Sequence, residues 1–124
     1  MNRKLFVAAW LVMISCIARA EDLSLEPTQN PDAPFRLFRT QNIHMLLKLD
    51  TRTGKIWQVQ WGDKEHRFTD PLSLIERAPG GRPGRFTLCP TNNIYTFVLL
   101  DQQTGDAWHV QWGEAEERFV LSID

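Results

Sequence analysis

The side chains best suited to binding chemistry in this sequence are four tryptophans that occur as two spaced pairs. Each pair brackets a valine in the segment Trp-Xaa-Val-Gln-Trp-Gly, and the four residues are Trp57, Trp61, Trp108 and Trp112. Indole rings at this spacing can stack on a sugar or another apolar-faced ligand, or they can fill a hydrophobic core. Valine shares the tryptophan face of the strand in both pairs, and this arrangement favours packing in a core.

Polar side chains alternate with the tryptophans and lie on the opposite face of the same strands, because successive side chains of a strand point to opposite sides. They are Gln58, Gln60, His109 and Gln111. We therefore predict that the tryptophan face is buried and that any binding surface lies on the glutamine face and in the loops. The alternative is a small-ligand or glycan binder in which the tryptophans are exposed and form the stacking surface.

The sequence contains no residue pattern that indicates catalysis or metal binding. His44, His66 and His109 have no partner at a metal-ligand spacing, and no pair of cysteines accompanies them. No Gly-Xaa-Ser-Xaa-Gly segment presents a serine nucleophile, and no glycine-rich phosphate loop precedes a helix. We expect three surface histidines, no catalytic residue, no metal site and no cofactor, and therefore a protein that is not an enzyme.

The elements that carry these side chains are duplicated. A shift of the sequence by 51 positions aligns the segment 35–68 with the segment 86–119 without a gap. It also aligns Asp-Xaa-Xaa-Thr-Gly at 50–54 with the same motif at 101–105. One constant offset indicates two copies of a supersecondary unit, which bury their apolar faces against each other.

Each copy is typical of antiparallel strands joined by tight turns. Period-two alternation and apolar composition predict strands at 35–39, 43–50, 56–61, 68–75, 85–89, 94–101, 107–112 and 118–123. In Asp-Xaa-Xaa-Thr-Gly the aspartate accepts hydrogen bonds from the following amides, and Gly54 or Gly105 takes the left-handed conformation of a bulged type I turn. The predicted fold is an all-β antiparallel sandwich or small barrel of about 7–8 strands, in which the last strand could close against the first.

Residues 1–20 have the features of a signal peptide. Two basic residues precede an uncharged apolar run, and Ala-Arg-Ala provides small residues for cleavage after Ala20. The alternative is processing as a lipoprotein, in which an acylated Cys16 would anchor the chain at the cell envelope. We predict a periplasmic or secreted protein.

Removal of residues 1–20 would take away three basic side chains and no acidic one, which lowers the net charge from −1 to −4. Such a chain lacks the clustered basic residues that bind phosphate, so we expect no nucleic-acid partner. It would keep one cysteine, Cys89, which cannot form an intramolecular disulfide and which we expect to be buried.

The remaining chain divides into a Pro-rich flexible leader at 21–34 and a single β domain that follows it at 35–124. Within the domain, repeat 1 spans 35–77 and repeat 2 spans 85–124. A Pro- and Gly-rich linker at 78–84 joins them and has no capacity to pack a core.

Residues 91–112, with the sequence Thr-Asn-Asn-Ile-Tyr-Thr-Phe-Val-Leu-Leu-Asp-Gln-Gln-Thr-Gly-Asp-Ala-Trp-His-Val-Gln-Trp, resemble a repeat of small exported bacterial proteins of unknown function. The resemblance covers both copies and implies export and a β fold, but no activity. The fragment Leu-Asp-Xaa-Xaa-Thr-Gly-Xaa-Xaa-Trp is also similar to hairpins of quinoprotein-like β-propeller blades, although two blades in one chain cannot close a ring. The sequence thus predicts an exported, non-enzymatic binding module for an unknown protein or envelope component.

Overall fold

The computed structural model describes residues 29–124, so the predicted signal peptide and Cys16 lie outside the described residues. This part of the chain contains eight strands and one short 3₁₀ turn, Ala115–Glu117. The strands are β1 (Phe35–Arg39), β2 (Met45–Asp50), β3 (Ile56–Gln60), β4 (Phe68–Ser73), β5 (Phe86–Pro90), β6 (Thr96–Asp101), β7 (Ala107–Gln111) and β8 (Phe119–Ile123). All the predicted strands are present, and their ends differ from the predicted ends by at most two residues.

The strands form two four-stranded antiparallel sheets. Sheet 1 has the order β1-β2-β3-β4 and sheet 2 has the order β5-β6-β7-β8, so each repeat is a simple meander. No pairing joins β8 to β1 in the described chain. The all-β antiparallel prediction is confirmed, and of its two alternatives the sandwich is correct and the closed barrel is wrong.

The turns at the centre of each sheet have the predicted geometry. Gly54 and Gly105 both have φ of 84°, which glycine adopts at little cost because it has no Cβ. The carboxylate of Asp50 accepts a hydrogen bond from the main-chain N–H two residues later at 2.9 Å, and so does that of Asp101. These turns fix the register of β2 with β3 and of β6 with β7, and hence which side chains share a face.

The two sheets pack face to face over one apolar core, with β2 against β5 and β4 against β8. The buried residues are Leu47, Leu49, Ile56, Ala78, Phe86, Leu88, Phe97, Leu99, Val110 and Trp112. Ala78 belongs to the 78–84 linker and is 5% exposed. The prediction that the linker has no capacity to pack is therefore wrong at this position, where a small methyl group fits between the sheets.

The sheets stack front to back, so that the side that faces the core in sheet 1 is not the repeat equivalent of the side that faces it in sheet 2. Sheet 1 buries the side of β3 that carries Ile56 and Gln58. Sheet 2 buries the side of β7 that carries Val110, which continues into Trp112. Val59, the counterpart of Val110 at the 51-residue offset, therefore lies on the outer face of sheet 1. The outer face of each sheet is the repeat equivalent of the inner face of the other sheet.

The residues immediately before β1 are attached to its free edge. The side chain of Gln29 donates a hydrogen bond to the Leu37 carbonyl and accepts one from the Leu37 N–H, both at 2.7 Å. The Thr51 N–H donates to the Pro34 carbonyl at 2.8 Å. Gln29 thus occupies main-chain groups of β1 that would otherwise be open for pairing with another strand.

Candidate functional site

Gln58 links the two sheets and is not accessible. It is 1% exposed. Its Nε2 donates a hydrogen bond to the Gly113 carbonyl at 3.2 Å, and its Oε1 accepts one from the Gly113 N–H at 2.9 Å. The prediction that Gln58 belongs to an accessible binding face is therefore wrong. The amide can be buried because a main-chain donor and acceptor of the other sheet replace the water that it loses.

The other polar candidates do not form one surface with Gln58. Gln60 is half-buried on the inner side of sheet 1, where its Oε1 accepts a hydrogen bond from the Gly62 N–H at 2.8 Å. Gln111 lies on the outer side of sheet 2 and donates to the Glu117 carbonyl at 3.2 Å. The structure therefore separates the predicted glutamine face into two unrelated surfaces.

The tryptophans of repeat 2 belong to the core, as predicted. Trp112 is 5% exposed, its indole N–H donates a hydrogen bond to the Ile94 carbonyl at 3.0 Å, and its ring lies 5.0 Å from that of Tyr95. Trp108 is partly buried against the core, and the guanidinium of Arg77 lies 5.5 Å from its ring centroid. Neither indole is available as an open stacking surface.

The tryptophans of repeat 1 lie on the opposite side, and the prediction that they are core residues is wrong. Trp61 is 50% exposed, and Trp57 is half-buried on the outer face of sheet 1. The physical reason is the front-to-back stacking, which buries the tryptophan side of one sheet and the other side of its neighbour.

The outer face of sheet 1 is an aromatic and aliphatic surface. It carries Phe35, Leu37, Leu46, Lys48, Trp57, Val59 and Trp61, with Arg39, Thr69 and Pro71 on its outer strands. The exposed fractions of Phe35 and Leu37 are 49% and 41%. The ammonium of Lys48 lies 4.8 Å from the Trp57 ring centroid, a cation–π contact that leaves Trp61 as the more open indole of this face.

A groove of about 520 Å³ opens beside Trp61. Its walls combine apolar side chains with amide, hydroxyl and guanidinium groups, and they are formed by Gln29, Leu37, Arg39, Thr40, Asn42, Ile43, Met45, Leu46 and Trp61. The imidazole of His44 contacts this indole in a T-shaped arrangement, with ring centroids 5.4 Å apart. Apolar walls with a few polar groups are typical of sites for small ligands or for an inserted side chain.

The outer face of sheet 2 is also largely apolar. Its apolar members are Cys89, Val98, Leu100, Ala107, Phe119, Leu121 and Ile123, and Thr87, Thr96, His109 and Gln111 are its polar members. Cys89 is exposed, so the prediction that it is buried is wrong, because its position on β5 points away from the core.

The histidines differ in their surroundings. His44 and His66 are exposed, as predicted, whereas His109 is half-buried on the outer face of sheet 2. The ring of His109 lies 4.9 Å from that of Phe119, and its Nε2 is buried without a hydrogen-bond partner among the described residues. Within residues 29–124, no three His, Cys, Asp or Glu side chains gather in a way that could hold a metal ion.

The strongest electrostatic perturbation lies at the turns. Arg85 donates two hydrogen bonds to the Asp101 carboxylate, at 3.0 and 2.8 Å, and with the turn amides it lowers the pKa of Asp101 to about 2 although burial opposes this. Burial raises the pKa of Asp50, but hydrogen bonds from Arg52 outweigh it and the net shift is downward. Both carboxylates anchor turns, as the sequence predicted, and neither faces the groove.

Comparisons with known proteins do not identify a relative. No family model matches the chain, and neither a curated protein nor a solved structure matches it. Among residues 29–124, the structure contains no helix with the length and apolar character needed to cross a membrane. The functional inference therefore depends on the geometry of the two outer faces.

Sequence reasoning missed the non-tryptophan members of the outer face of sheet 1, above all Phe35 and Leu37. A signal was present in the difference between the copies. Lys48 occurs where repeat 2 has Leu99, which is 0% exposed, so the lysine marks the copy whose tryptophan side faces solvent.

Proposed function

We propose that the protein is an exported, non-enzymatic binding module that binds a partner protein or an envelope component on the outer face of sheet 1. The observation that carries the proposal is the joint exposure of Phe35, Leu37 and Trp61 on one face, at 49, 41 and 50%. Large apolar side chains that are exposed together are typical of interaction sites. Export is proposed from the sequence features of residues 1–20.

The contacts that hold this face in place support the same proposal. Trp57 is held between the Lys48 ammonium and the ring of Phe35, whose centroid lies 6.3 Å away. The main chain of Leu37 is paired on one side with β2 and bonded on the other side to Gln29. A Trp57 ring with contacts on its neighbours and a main chain that is bonded on both edges lose little conformational entropy on binding, and this favours affinity from a small contact area.

A glycan is the second candidate, and the groove beside Trp61 favours it. A sugar ring could stack on this half-exposed indole while Gln29 and Asn42 bind its hydroxyl groups. Titration of the protein with soluble oligosaccharides would test this candidate through the tryptophan emission. A saturable change that Trp61→Leu abolishes would support it, and no change at millimolar oligosaccharide would refute it.

Two matched variants test the location of the protein-binding site. Leu37→Glu places a carboxylate on the proposed face, whereas Leu74→Glu makes the same change at a residue that is 55% exposed, lies beyond the end of β4 and does not belong to that face. The immobilised chain is exposed to a bacterial envelope extract, and retained proteins are measured as a function of extract concentration. We expect Leu37→Glu to weaken saturable retention by about 30-fold or more, the effect of losing a central contact, and Leu74→Glu to preserve it.

The thermal midpoint of each variant serves as the control for folding. Equal retention by the two variants would contradict the proposed face. The absence of any saturable partner for the unsubstituted chain would contradict the binding of an envelope protein.

A further inference from the structure

We propose that a second copy of this chain covers the outer face of sheet 1 with the outer face of its own sheet 2, so that copies associate head to tail. This inference deepens the proposed function, on which it rests, because it names an occupant for the same face. The template for the contact is the packing of sheet 1 against sheet 2 within one chain.

The exposed outer face of sheet 1 carries many of the same residue types as the buried inner face of sheet 2. The 51-residue shift converts the outer face of sheet 1 into the inner face of sheet 2. Five positions keep the same residue type, namely Phe35 and Phe86, Leu37 and Leu88, Trp57 and Trp108, Val59 and Val110, and Trp61 and Trp112. In repeat 2, Phe86 and Val110 are 0% exposed. The open face of sheet 1 therefore carries the side chains that sheet 2 uses to pack on a neighbouring sheet.

The exposed outer face of sheet 2 likewise matches the buried inner face of sheet 1 in its apolar positions. At the same shift, this face is equivalent to the inner face of sheet 1. Matching apolar pairs are Val98 and Leu47, Leu100 and Leu49, Ala107 and Ile56, Phe119 and Phe68, and Ile123 and Leu72. Leu121 even replaces the charged Asp70, and it is 60% exposed. Both surfaces of the template contact are thus present, unpaired, on the outside of the molecule.

His109 is a polar side chain of the outer face of sheet 2 that this contact has to accommodate. It occupies the position of Gln58, which is satisfied by the main chain of Gly113 in the other sheet. The Nε2 of His109 has no such partner within the described residues. Gly62 is the repeat equivalent of Gly113, so a head-to-tail neighbour brings the Gly62 main chain towards this imidazole. The Nε2 is covered by atoms of its own chain, so His109 donates a hydrogen bond to the Gly62 carbonyl of the neighbour only after its side chain rotates outward.

The contact is expected to be weak. Four strands about 4.8 Å apart, with five residues of about 3.3 Å each, give a footprint of about 300 Å², less than the roughly 800 Å² that a stable interface buries on each partner. Lys48 weakens the contact further. It occupies the position of the buried Leu99 of the template, so its ammonium must extend to the rim of the contact to remain in water. We therefore expect dissociation constants between about 10 µM and 1 mM, which are typical of small transient interfaces.

A head-to-tail contact uses two different surfaces, so it either closes into a ring or grows without limit. Each copy contributes two sheets. Rings of two to four copies would contain four to eight sheets, the number of blades that closes a β-propeller.

The test uses two variants that each destroy one of the two surfaces. Leu37→Glu disables the outer face of sheet 1, and Leu121→Glu disables the outer face of sheet 2. Sedimentation velocity is recorded for the purified chain from about 10 µM to about 1 mM, the range in which a small interface saturates. We expect concentration-dependent association of the unsubstituted chain and of Leu74→Glu, and monomers for each disabled variant alone. An equimolar mixture of the disabled variants should form a 1:1 complex that does not grow, because each retains the surface that the other lacks.

Lys48→Leu provides the opposite perturbation. It supplies the residue type of Leu99 at the centre of the contact and should tighten association by about 10-fold or more, since an apolar side chain replaces a charge that must be desolvated.

Three results would overturn the inference. The first is a monomer at every concentration for both the unsubstituted chain and Lys48→Leu. The second is loss of association in Leu37→Glu but not in Leu121→Glu, which would indicate sheet 1 against sheet 1. The third is a mixture that contains no 1:1 complex. In each case the proposed function survives if an envelope protein still binds Leu74→Glu more tightly than Leu37→Glu. Conversely, self-association of a chain that retains no envelope protein would refute the binding of an envelope protein and leave the head-to-tail contact standing.

Discussion

The hydrogen bonds between Gln58 and Gly113 are predicted to be an important polar link between the sheets, and Gln58→Leu removes them. Leucine has a similar size and leaves little cavity. The Gly113 carbonyl still accepts a hydrogen bond from Arg118 Nε at 2.8 Å, so only the Gly113 N–H loses its partner. A buried donor without a partner costs about 1–3 kcal/mol. Gln58→Leu should therefore lower the free energy of unfolding by about 1–3 kcal/mol.

Urea unfolding followed by tryptophan fluorescence, at a protein concentration where the chain is monomeric, measures this loss. Gln111→Leu is the matched control, because its hydrogen bond to the Glu117 carbonyl lies at the surface, and it should change stability by no more than about 0.5 kcal/mol. The slope of the free energy against urea should be the same in both variants. Equal stability of Gln58→Leu and the unsubstituted chain, or equal losses in both variants, would refute the reasoning.

Two further predictions concern the turns. Asp101 has a folded pKa of about 2 against its ordinary 3.8, so its contribution of up to about 2 kcal/mol is complete above about pH 4 and disappears as the pH falls through 2. Unfolding free energies at pH 4 and pH 2 should therefore differ less in Arg85→Ala than in the unsubstituted chain, and an equal difference would contradict the assignment. Gly54→Ala and Gly105→Ala both place alanine at φ of 84°, at a cost of about 1–2 kcal/mol each. Only the new Cβ at residue 54 meets a neighbour, Cε1 of Phe86 at 3.3 Å, so this variant should have the lower thermal midpoint, and equal midpoints would disprove the packing contact.

Local structure could be predicted from the sequence because its signals are local. The alternation along Ile56–Gln60 requires a strand, and the Asp50 and Gly54 pair defines a turn whose hydrogen bonds lie within five residues. The constant offset of 51 then transfers each assignment to the second copy. Strand positions and turn geometry follow from these signals alone, whereas the choice between two separate sheets and a closed barrel does not.

The direction in which each sheet faces could not be predicted from a single strand. Alternation on β3 separates Trp57 from Gln58 but does not say which side is inner. The neighbouring strand decides, since the register of β2 places the aliphatic Leu47 beside Gln58 and the charged Lys48 beside Trp57. The large aliphatic side chains of β2 therefore draw the glutamine into the core of sheet 1, whereas in sheet 2 Leu99 pairs with Trp108 and draws the tryptophan side inward.

Front-to-back stacking of a duplicated sheet has an unavoidable result, because one copy of each packing face remains uncovered. The differences between the copies weaken these open faces without abolishing them. Lys48 replaces the buried Leu99 on one, and Ala107 replaces the buried Ile56 on the other. A charge and a smaller side chain both make apolar association less favourable while leaving its geometry intact. Surfaces that keep the shape of a core contact but bind less strongly are suited to reversible binding. Trp61 shows this most clearly, because it is 50% exposed whereas its repeat equivalent Trp112 is 5% exposed in the core.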